Sequence, residues 1–140
     1  MATEVSIDYQ IMHGKPPVWD AIQEKVGNLE KDRENIWCTY GTEIWCESPI
    51  PEEILEHEKV HVWQQTIRMS KEEWWDKWLN DLEFRYEQEL EGYRTQVAVV
   101  KERTKDRNRV FSYKVAIAKV LSGPMYGSIM SFNRVLRDLK

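Results

Sequence analysis

The sequence lacks three features that would each point to a class of protein. It has no apolar stretch long enough to span a membrane, and its first four residues lack the basic and then apolar pattern of a secretory signal. It has no excess of basic residues either, since the net charge is −4, so no general positive field attracts nucleic acid. The length of 140 residues suits one domain over residues 1–140. We therefore expect a soluble, cytoplasmic protein with neither membrane nor nucleic-acid partners; the oligomeric state stays open.

Cysteine is scarce, and the two cysteines flank a predicted β-hairpin. Residues 35–47 carry Trp, Ile, Thr and Tyr on both sides of a central Gly-Thr pair, which predicts two short strands and a tight turn. With a two-residue loop, Cys38 lies opposite Trp45 and Cys46 opposite Trp37, so the thiols point to opposite faces of the sheet. We expect free buried thiols, because such a pair cannot form a disulfide and its spacing matches no CxxC zinc knuckle.

Histidine is scarce as well, yet two of the three histidines lie in the motif His57-Glu58-Lys59-Val60-His61. On a helix, residues four apart project from the same face about one turn apart, so both imidazoles could bind one Zn²⁺. Glu58, rotated by about 100° from His57, could reach a water molecule at the metal and act as general base. This HExxH pattern predicts a metal site; the alternative is a charged helix face with two solvated histidines.

The surrounding residues predict that the motif lies on a helix from about 51 to 68. Pro51 suits the first helical position, and two glutamates follow it in the first turn. One side of this helix is apolar and the other polar, so we expect the motif on a polar face towards a cleft or solvent, not as a buried structural pair. The apolar side carries Leu55, Val60, Val62, Trp63, Ile67 and Met69, and the polar side His57, Glu58, His61, Gln64 and Gln65.

The rest of the chain predicts an α+β fold. Alternating residues at 4–11 indicate a strand, 18–26 a short helix, and 71–105 a helical stretch interrupted near Asn80. Ser70 and Glu73 form a capping box at the start of that stretch, and further helices are predicted at 110–121 and 128–139. A small antiparallel sheet, made of the N-terminal strand and the hairpin, should thus pack on a mainly helical core. Three tryptophans are expected to anchor the helix that carries them to that core: Trp74, Trp75 and Trp78.

A catalytic zinc usually takes three protein ligands, so the histidine pair needs a third. No histidine follows His61, and His13 lies on a predicted turn beside two prolines, which leaves a carboxylate on a later helix as the natural candidate. Glu89 and Glu91 both qualify. They lie about 200° apart around a helix, so only one of them can face the metal.

The two helical motifs resemble those of gluzincin-type zinc metallopeptidases. The stretch His57–Gln65, followed by Glu89-Leu90-Glu91-Gly92-Tyr93-Arg94, is similar to the HExxH helix and the ExEA-like second helix of that group. The closest likeness is to small metallopeptidase-like proteins of bacteria and their phages, over about residues 35–95, hairpin included. The resemblance implies a zincin-like core, Zn²⁺ as cofactor, and His57, His61 and Glu89 as ligands, with Glu91 as runner-up for the third. It departs at Gly92, where the family often has Ala, and at Tyr93, where many relatives have an acidic residue.

These patterns lead to two hypotheses about function. The first is a zinc-dependent peptidase acting on a peptide or protein, with Glu58 as general base and a tyrosine as donor to the oxyanion. Tyr86, Tyr93 and Tyr126 are the candidates, and Tyr93 is preferred because it would lie one turn from the ligand. Strand 43–47 could bind an extended peptide along its edge. The second hypothesis is a catalytically inactive metallopeptidase-like scaffold that serves as a phage or bacterial binding or structural protein.

Overall fold

The computed structural model describes residues 7–140, in which six α-helices follow or flank a three-stranded sheet. The α+β fold class predicted from the sequence is confirmed. Part of the predicted strand 4–11, including Val5, lies outside the described residues. The strands are β1 (Gln10–His13), β2 (Cys38–Tyr40) and β3 (Glu43–Cys46), and the helices are α1 (Trp19–Val26), α2 (Glu52–Trp63), α3 (Lys71–Asn80), α4 (Leu82–Arg103), α5 (Arg107–Leu121) and α6 (Phe132–Asp138).

The sheet is mixed, so the predicted antiparallel sheet is wrong in one pairing. β2 and β3 form the expected hairpin around Gly41, with Cys38 opposite Trp45, but β1 pairs with β3 in parallel. The order is β1-β3-β2, which places β3 in the centre. The hydrophobic pattern of the strands does not encode this order, because it marks the buried face of a strand and not its neighbour.

Two details of the strand prediction differ from the structure. Ile11, expected on the buried face of the first strand, is exposed. Cys46 pairs with His13 of β1, whereas its predicted pairing with Trp37 is not formed as part of the sheet, because β2 begins only at Cys38 in the predicted register with Trp45. The consequence drawn for the cysteines is nevertheless confirmed: Cys38 and Cys46 are both free and buried.

Local capping residues define where the helices begin. Pro51 precedes α2 in extended conformation, and the Ser70 side chain accepts a hydrogen bond from the Glu73 backbone N–H, as the capping box predicts. Asp81 ends α3 and its side chain caps α4, which explains the interruption near Asn80. After Trp63, α2 continues as one π-helical turn over Gln64–Arg68.

The apolar core consists of two clusters on either side of α4. The first joins α4, α5 and α6 around Leu90, Ile117 and Leu121. The second joins α1, β2 and α3 around Ile22, Cys38 and the three tryptophans of α3, which are all buried and so confirm the packing role predicted for them. No helix in the described residues has the length and apolar character to cross a bilayer.

Candidate metal centre

Helices α2 and α4 pack against each other at the HExxH motif, and Gly92 allows them to approach closely. A Cβ atom built on Gly92 would lie 2.7 Å from Nε2 of His57, nearer than any side chain tolerates. The histidine ring therefore rests directly on the backbone of α4. This contact brings the motif of α2 next to the acidic residues of α4.

Three ligand atoms from these helices converge at one point. Nε2 of His57 lies 3.1 Å from Nε2 of His61, and each lies 3.2 Å from Oε1 of Glu89. Among the described residues, His57, His61 and Glu89 are the group that could hold a metal ion. Both histidines are buried, and the second oxygen of Glu89 accepts a hydrogen bond from the indole of Trp78 at 3.0 Å.

Two glutamines orient the histidine rings. Oε1 of Gln96 lies 2.8 Å from Nδ1 of His57, and Oε1 of Gln64 lies 2.8 Å from Nδ1 of His61. The orientation of the Gln64 amide is fixed independently, because its nitrogen donates to the carboxylate of Glu91 at 2.8 Å. An amide oxygen only accepts, so each Nδ1 carries the hydrogen and each Nε2 presents its lone pair towards Glu89.

This arrangement requires a positive charge at its centre. Two imidazole lone pairs and a carboxylate oxygen are all acceptors, and acceptors 3.1 to 3.2 Å apart repel each other unless a proton or a cation lies between them. In a tetrahedral zinc site with bonds of about 2.0–2.2 Å, ligand atoms lie about 3.3–3.5 Å apart. The separations in this chain are close to that value, and the donor set of two nitrogens and one oxygen is one that zinc accepts. The residues present therefore fit a metal ion.

The pKa values of the cluster also indicate that it needs a positive charge. Burial favours the neutral form of His61, but the carboxylates of Glu89 and Glu58 outweigh it and raise the pKa of His61 to about 9. Burial likewise opposes ionisation of Glu89, yet the two histidines hold its pKa well below its usual range. Without a metal ion, a proton on His61 supplies the positive charge that the cluster needs.

Glu58 lies beside the cluster without belonging to it. Its Oε1 accepts a hydrogen bond from the hydroxyl of Thr39 at 2.9 Å, and its Oε2 lies 4.0 Å from Nε2 of His57. The side chain is buried, and burial raises the pKa of its carboxyl group. Thr39 thus holds one oxygen in place while the other faces the ligand atoms, which is where a general base would be required.

The tyrosines proposed as oxyanion donors differ in where they lie. The ring of Tyr93 packs edge-to-face on His57, with 4.5 Å between ring centroids, and Tyr93 and Tyr126 both line the cavity at the ligand group. Tyr86 is on the other side of α4, where its hydroxyl donates to Asp138 at 2.7 Å. The prediction that Tyr86 could serve the site is therefore wrong, whereas the role of Tyr93 stays a prediction.

The alternative ligands suggested by the sequence lie elsewhere. Glu91 binds Arg68 through both carboxylate oxygens, at 2.9 and 3.1 Å, and touches the site only through Gln64. His13 is exposed on β1 and is not a member of the ligand group. Of the candidates for a third ligand, the structure thus brings Glu89 to the histidines.

The polar face of α2 points inwards and most of it lines the cavity at the site, so of the predicted alternatives, a cleft or solvent, the structure shows the cleft. His57, Glu58, His61, Gln64 and Gln65 are all buried, whereas Ile67 of the predicted apolar side is 56% exposed. The polar residues can be buried because each of them finds a partner on β2 or α4 or within the cluster itself. Amphipathic patterning assumes an apolar interior, and it fails for a helix whose buried face builds a site.

The edge of the sheet near the site is already covered. β3, which corresponds to the predicted strand 43–47, is paired on both sides, so a peptide cannot bind along it. The strand nearest to α2 is the edge strand β2. Gln65 donates to the backbone carbonyl of Thr39 at 3.1 Å and accepts from the backbone N–H of Gly41 at 2.7 Å. Its amide therefore occupies the positions where a neighbouring strand would pair.

Sequence reasoning missed the residues that hold the ligands in place. Gln64 follows His61, the ligand that it contacts, by three residues, and Gln96 follows Glu89 by seven, so helical spacing places Gln64 on the face of His61 and Gln96 on the face of Glu89. That signal was available for both glutamines. Nothing in the sequence indicated the contacts from Thr39 and Trp78, because those residues lie on other elements.

Comparison of the chain with protein-family models, with curated proteins and with solved structures gives no match. The conclusions about its function therefore depend on the geometry of the site.

Proposed function

We propose that this chain is a zinc-dependent peptidase in which His57, His61 and Glu89 bind the metal ion and Glu58 is the general base. The observation that supports this most directly is the convergence of three acceptor atoms, 3.1 to 3.2 Å apart, beside a fourth buried group that is not a ligand. A purely structural metal site has no need for a carboxylate in that position. The resemblance of the two helical motifs to gluzincins agrees with the proposal.

The chemistry divides between the metal and the side chains. A bound zinc ion supplies a Lewis acid that polarises a carbonyl group and lowers the pKa of water towards neutrality. Oε2 of Glu58 takes the proton of the attacking water and passes it to the leaving amine. Thr39 keeps that carboxylate oriented through its hydrogen bond to Oε1, at 2.9 Å. Gln64 and Gln96 hold the imidazoles in the tautomer that ligation requires. Tyr93, whose ring packs on His57 in the lining of the cavity, is our candidate for the donor to the oxyanion.

The test begins with metal content, measured by mass spectrometry on the purified wild type, Glu89→Ala and Glu91→Ala. We expect about one zinc per chain in the wild type and in Glu91→Ala, and loss of the metal in Glu89→Ala. Glu58→Gln should keep its zinc but lose hydrolysis of a peptide library by a factor of at least 100. A wild type that binds no zinc even after zinc is added would overturn the proposal.

The alternative, an inactive metallopeptidase-like scaffold that acts as a phage or bacterial binding or structural protein, is favoured by one observation. The covered edge of β2 removes the backbone pairing by which extended peptides commonly bind. Stoichiometric zinc in a wild type that cleaves no peptide, with Glu58→Gln indistinguishable from it, would support this alternative.

A further inference from the structure

A cavity of about 270 Å³ adjoins the ligand group, and its walls are mostly apolar. His57, His61 and Glu89 lie on one side of it. Other parts of its lining come from α1, from the segment that leads into β2 and from the start of α2. They carry Trp19, Ile22, Leu29, Ile36, Trp37 and Ile54.

The charged groups around the cavity favour an uncharged occupant. Apart from the histidines, the titratable side chains in its lining that carry charge are Glu58 and Glu89, and no lysine or arginine of the described chain is part of it. With zinc bound, its two positive charges offset those of the two carboxylates, so neither an acidic nor a basic side chain would find a net opposite charge to compensate for its lost hydration. The volume exceeds the roughly 150 Å³ in which an apolar cavity can hold benzene, so an aromatic ring and part of a main chain fit.

Two wall residues have an unused hydrogen-bond donor: Trp19, whose indole lies next to the Glu30 carboxyl group, and Trp37. Nε1 of Trp37 is buried and has no acceptor within residues 7–140. Buried indole N–H groups normally find a partner, so an unpaired one beside a cavity indicates a group that arrives with a ligand. A peptide carbonyl is an acceptor of this kind.

The sheet edge excludes the other common mode of peptide recognition. Gln65 already bonds to Thr39 of β2 and to Gly41 of the turn that follows it, so an incoming strand cannot pair there. With the β2 edge closed, the cavity is the feature beside the ligand group that can select a substrate side chain.

We propose that this cavity is a specificity pocket that binds one large apolar side chain of the substrate, aromatic or branched aliphatic, next to the scissile bond, with Trp37 donating to a substrate carbonyl. This inference rests on the proposed peptidase function. It narrows the substrate class to peptides with such a residue at the cleavage site.

Two hydroxamic acids test the pocket without depending on catalysis. Acetohydroxamic acid and N-hydroxy-3-phenylpropanamide share the metal-binding group and differ in the side chain. On the zinc-loaded wild type we expect the phenyl compound to bind at least about tenfold more tightly, as burial of an aromatic group predicts. Ile36→Ser should remove most of that preference and leave the affinity for acetohydroxamic acid unchanged. Ile67→Ser, at an exposed isoleucine outside the cavity, is the matched control.

A second measurement needs no metal. 3-Phenylpropanamide, which has no chelating group, should shift the ¹⁵N–¹H signal of the Trp37 indole in metal-free protein, and Trp37→Phe should weaken its binding about threefold to tenfold. Equal affinities for the two hydroxamic acids, or an unmoved Trp37 signal, would overturn the pocket while leaving the metal site intact. Absence of zinc binding together with a shifted Trp37 signal would instead refute the peptidase and retain the pocket.

Discussion

Gly92 is the residue whose replacement we expect to separate metal binding from folding. In Gly92→Ala the new methyl group would overlap the ring of His57, which approaches to 2.7 Å of the Cβ position. The ring must move, so zinc affinity should fall at least about tenfold, although alanine in a helix interior adds about 0.5–1 kcal/mol of helix stability. Competition with a chromogenic chelator measures the affinity. Glu87→Ala, at an exposed position of the same helix, should bind zinc like the wild type.

Gln64 and Gln96 should each contribute to metal affinity by orienting a histidine ring. Replacing either with leucine removes the acceptor for a histidine Nδ1–H, and loss of such a partner typically lowers metal affinity by about 10- to 100-fold. Gln96→Glu retains an acceptor and should restore binding. The ¹⁵N shifts of the imidazoles report the tautomer directly. Unchanged shifts and affinity in Gln96→Leu would show that the amide has no positioning role.

The ligands were predictable from the sequence because they depend on local spacing, and their environment was not. The separation of His57 and His61 follows from helical geometry, the need for a third ligand pointed to Glu89 or Glu91, and the resemblance to gluzincins favoured Glu89. The histidines are buried because Gly92 lets α4 approach and because β2 and α4 supply hydrogen-bond partners for the polar groups of the motif. Only the folded chain brings these residues together. Periodicity within one helix contains no information about such partners.

At the scale of elements, Arg85 connects α3, α4 and the turn before α6. Its buried guanidinium donates to the carbonyls of Trp78 at 2.7 Å, Leu79 at 3.1 Å and Met125 at 2.6 Å, and it stacks on the Trp78 ring. A lysine cannot reproduce this planar set of donors. Arg85→Lys should therefore lower the free energy of unfolding by about 2–4 kcal/mol in urea titration. Arg107→Lys, on the surface of α5, should change it by less than about 0.5 kcal/mol.

Elements were predicted more accurately than their arrangement. The helices begin and end near the predicted residues because capping groups such as Ser70 and Asp81 are local signals. The parallel pairing of β1 with β3 was missed, since it depends on how α1 and the segment after it return the chain to the sheet. The π-helical turn Gln64–Arg68 was missed too; within that turn Gln64 and Gln65 both face the interior.

For the whole molecule, we expect zinc to stabilise the fold. A ligand that binds only the folded chain adds about 2.7 kcal/mol at a free concentration of 100 times its Kd. Differential scanning calorimetry should therefore show a higher Tm with zinc and a return to the metal-free value with a chelator. Glu89→Ala should show no such increase, while Glu91→Ala should behave like the wild type. An equal increase in Glu89→Ala would place the zinc elsewhere.

Stability at alkaline pH should depend on Tyr86. Burial and the hydrogen bond to Asp138 raise the pKa of Tyr86 above its usual value. The folded chain then retains a proton that the unfolded chain releases near pH 10, so the free energy of unfolding falls as pH rises above about 10. Tyr86→Phe should be less stable by about 1 kcal/mol at neutral pH and show a shallower decline at alkaline pH. An unchanged slope, measured by urea unfolding from pH 8 to pH 11, would contradict this assignment.

The amide of Gln65 has a consequence for how copies of this chain behave together. Its side-chain amide pairs with the Thr39 carbonyl and the Gly41 N–H, as the backbone of a neighbouring strand would. These two backbone groups are therefore not available for pairing with the β2 edge of a second molecule. A side chain that closes this edge to a substrate thus also closes it to edge-to-edge aggregation. Loss of that amide would leave the Gly41 backbone N–H without an acceptor, whereas the Thr39 carbonyl would keep the indole N–H of Trp75 at 3.2 Å, so two side chains share the protection of this edge.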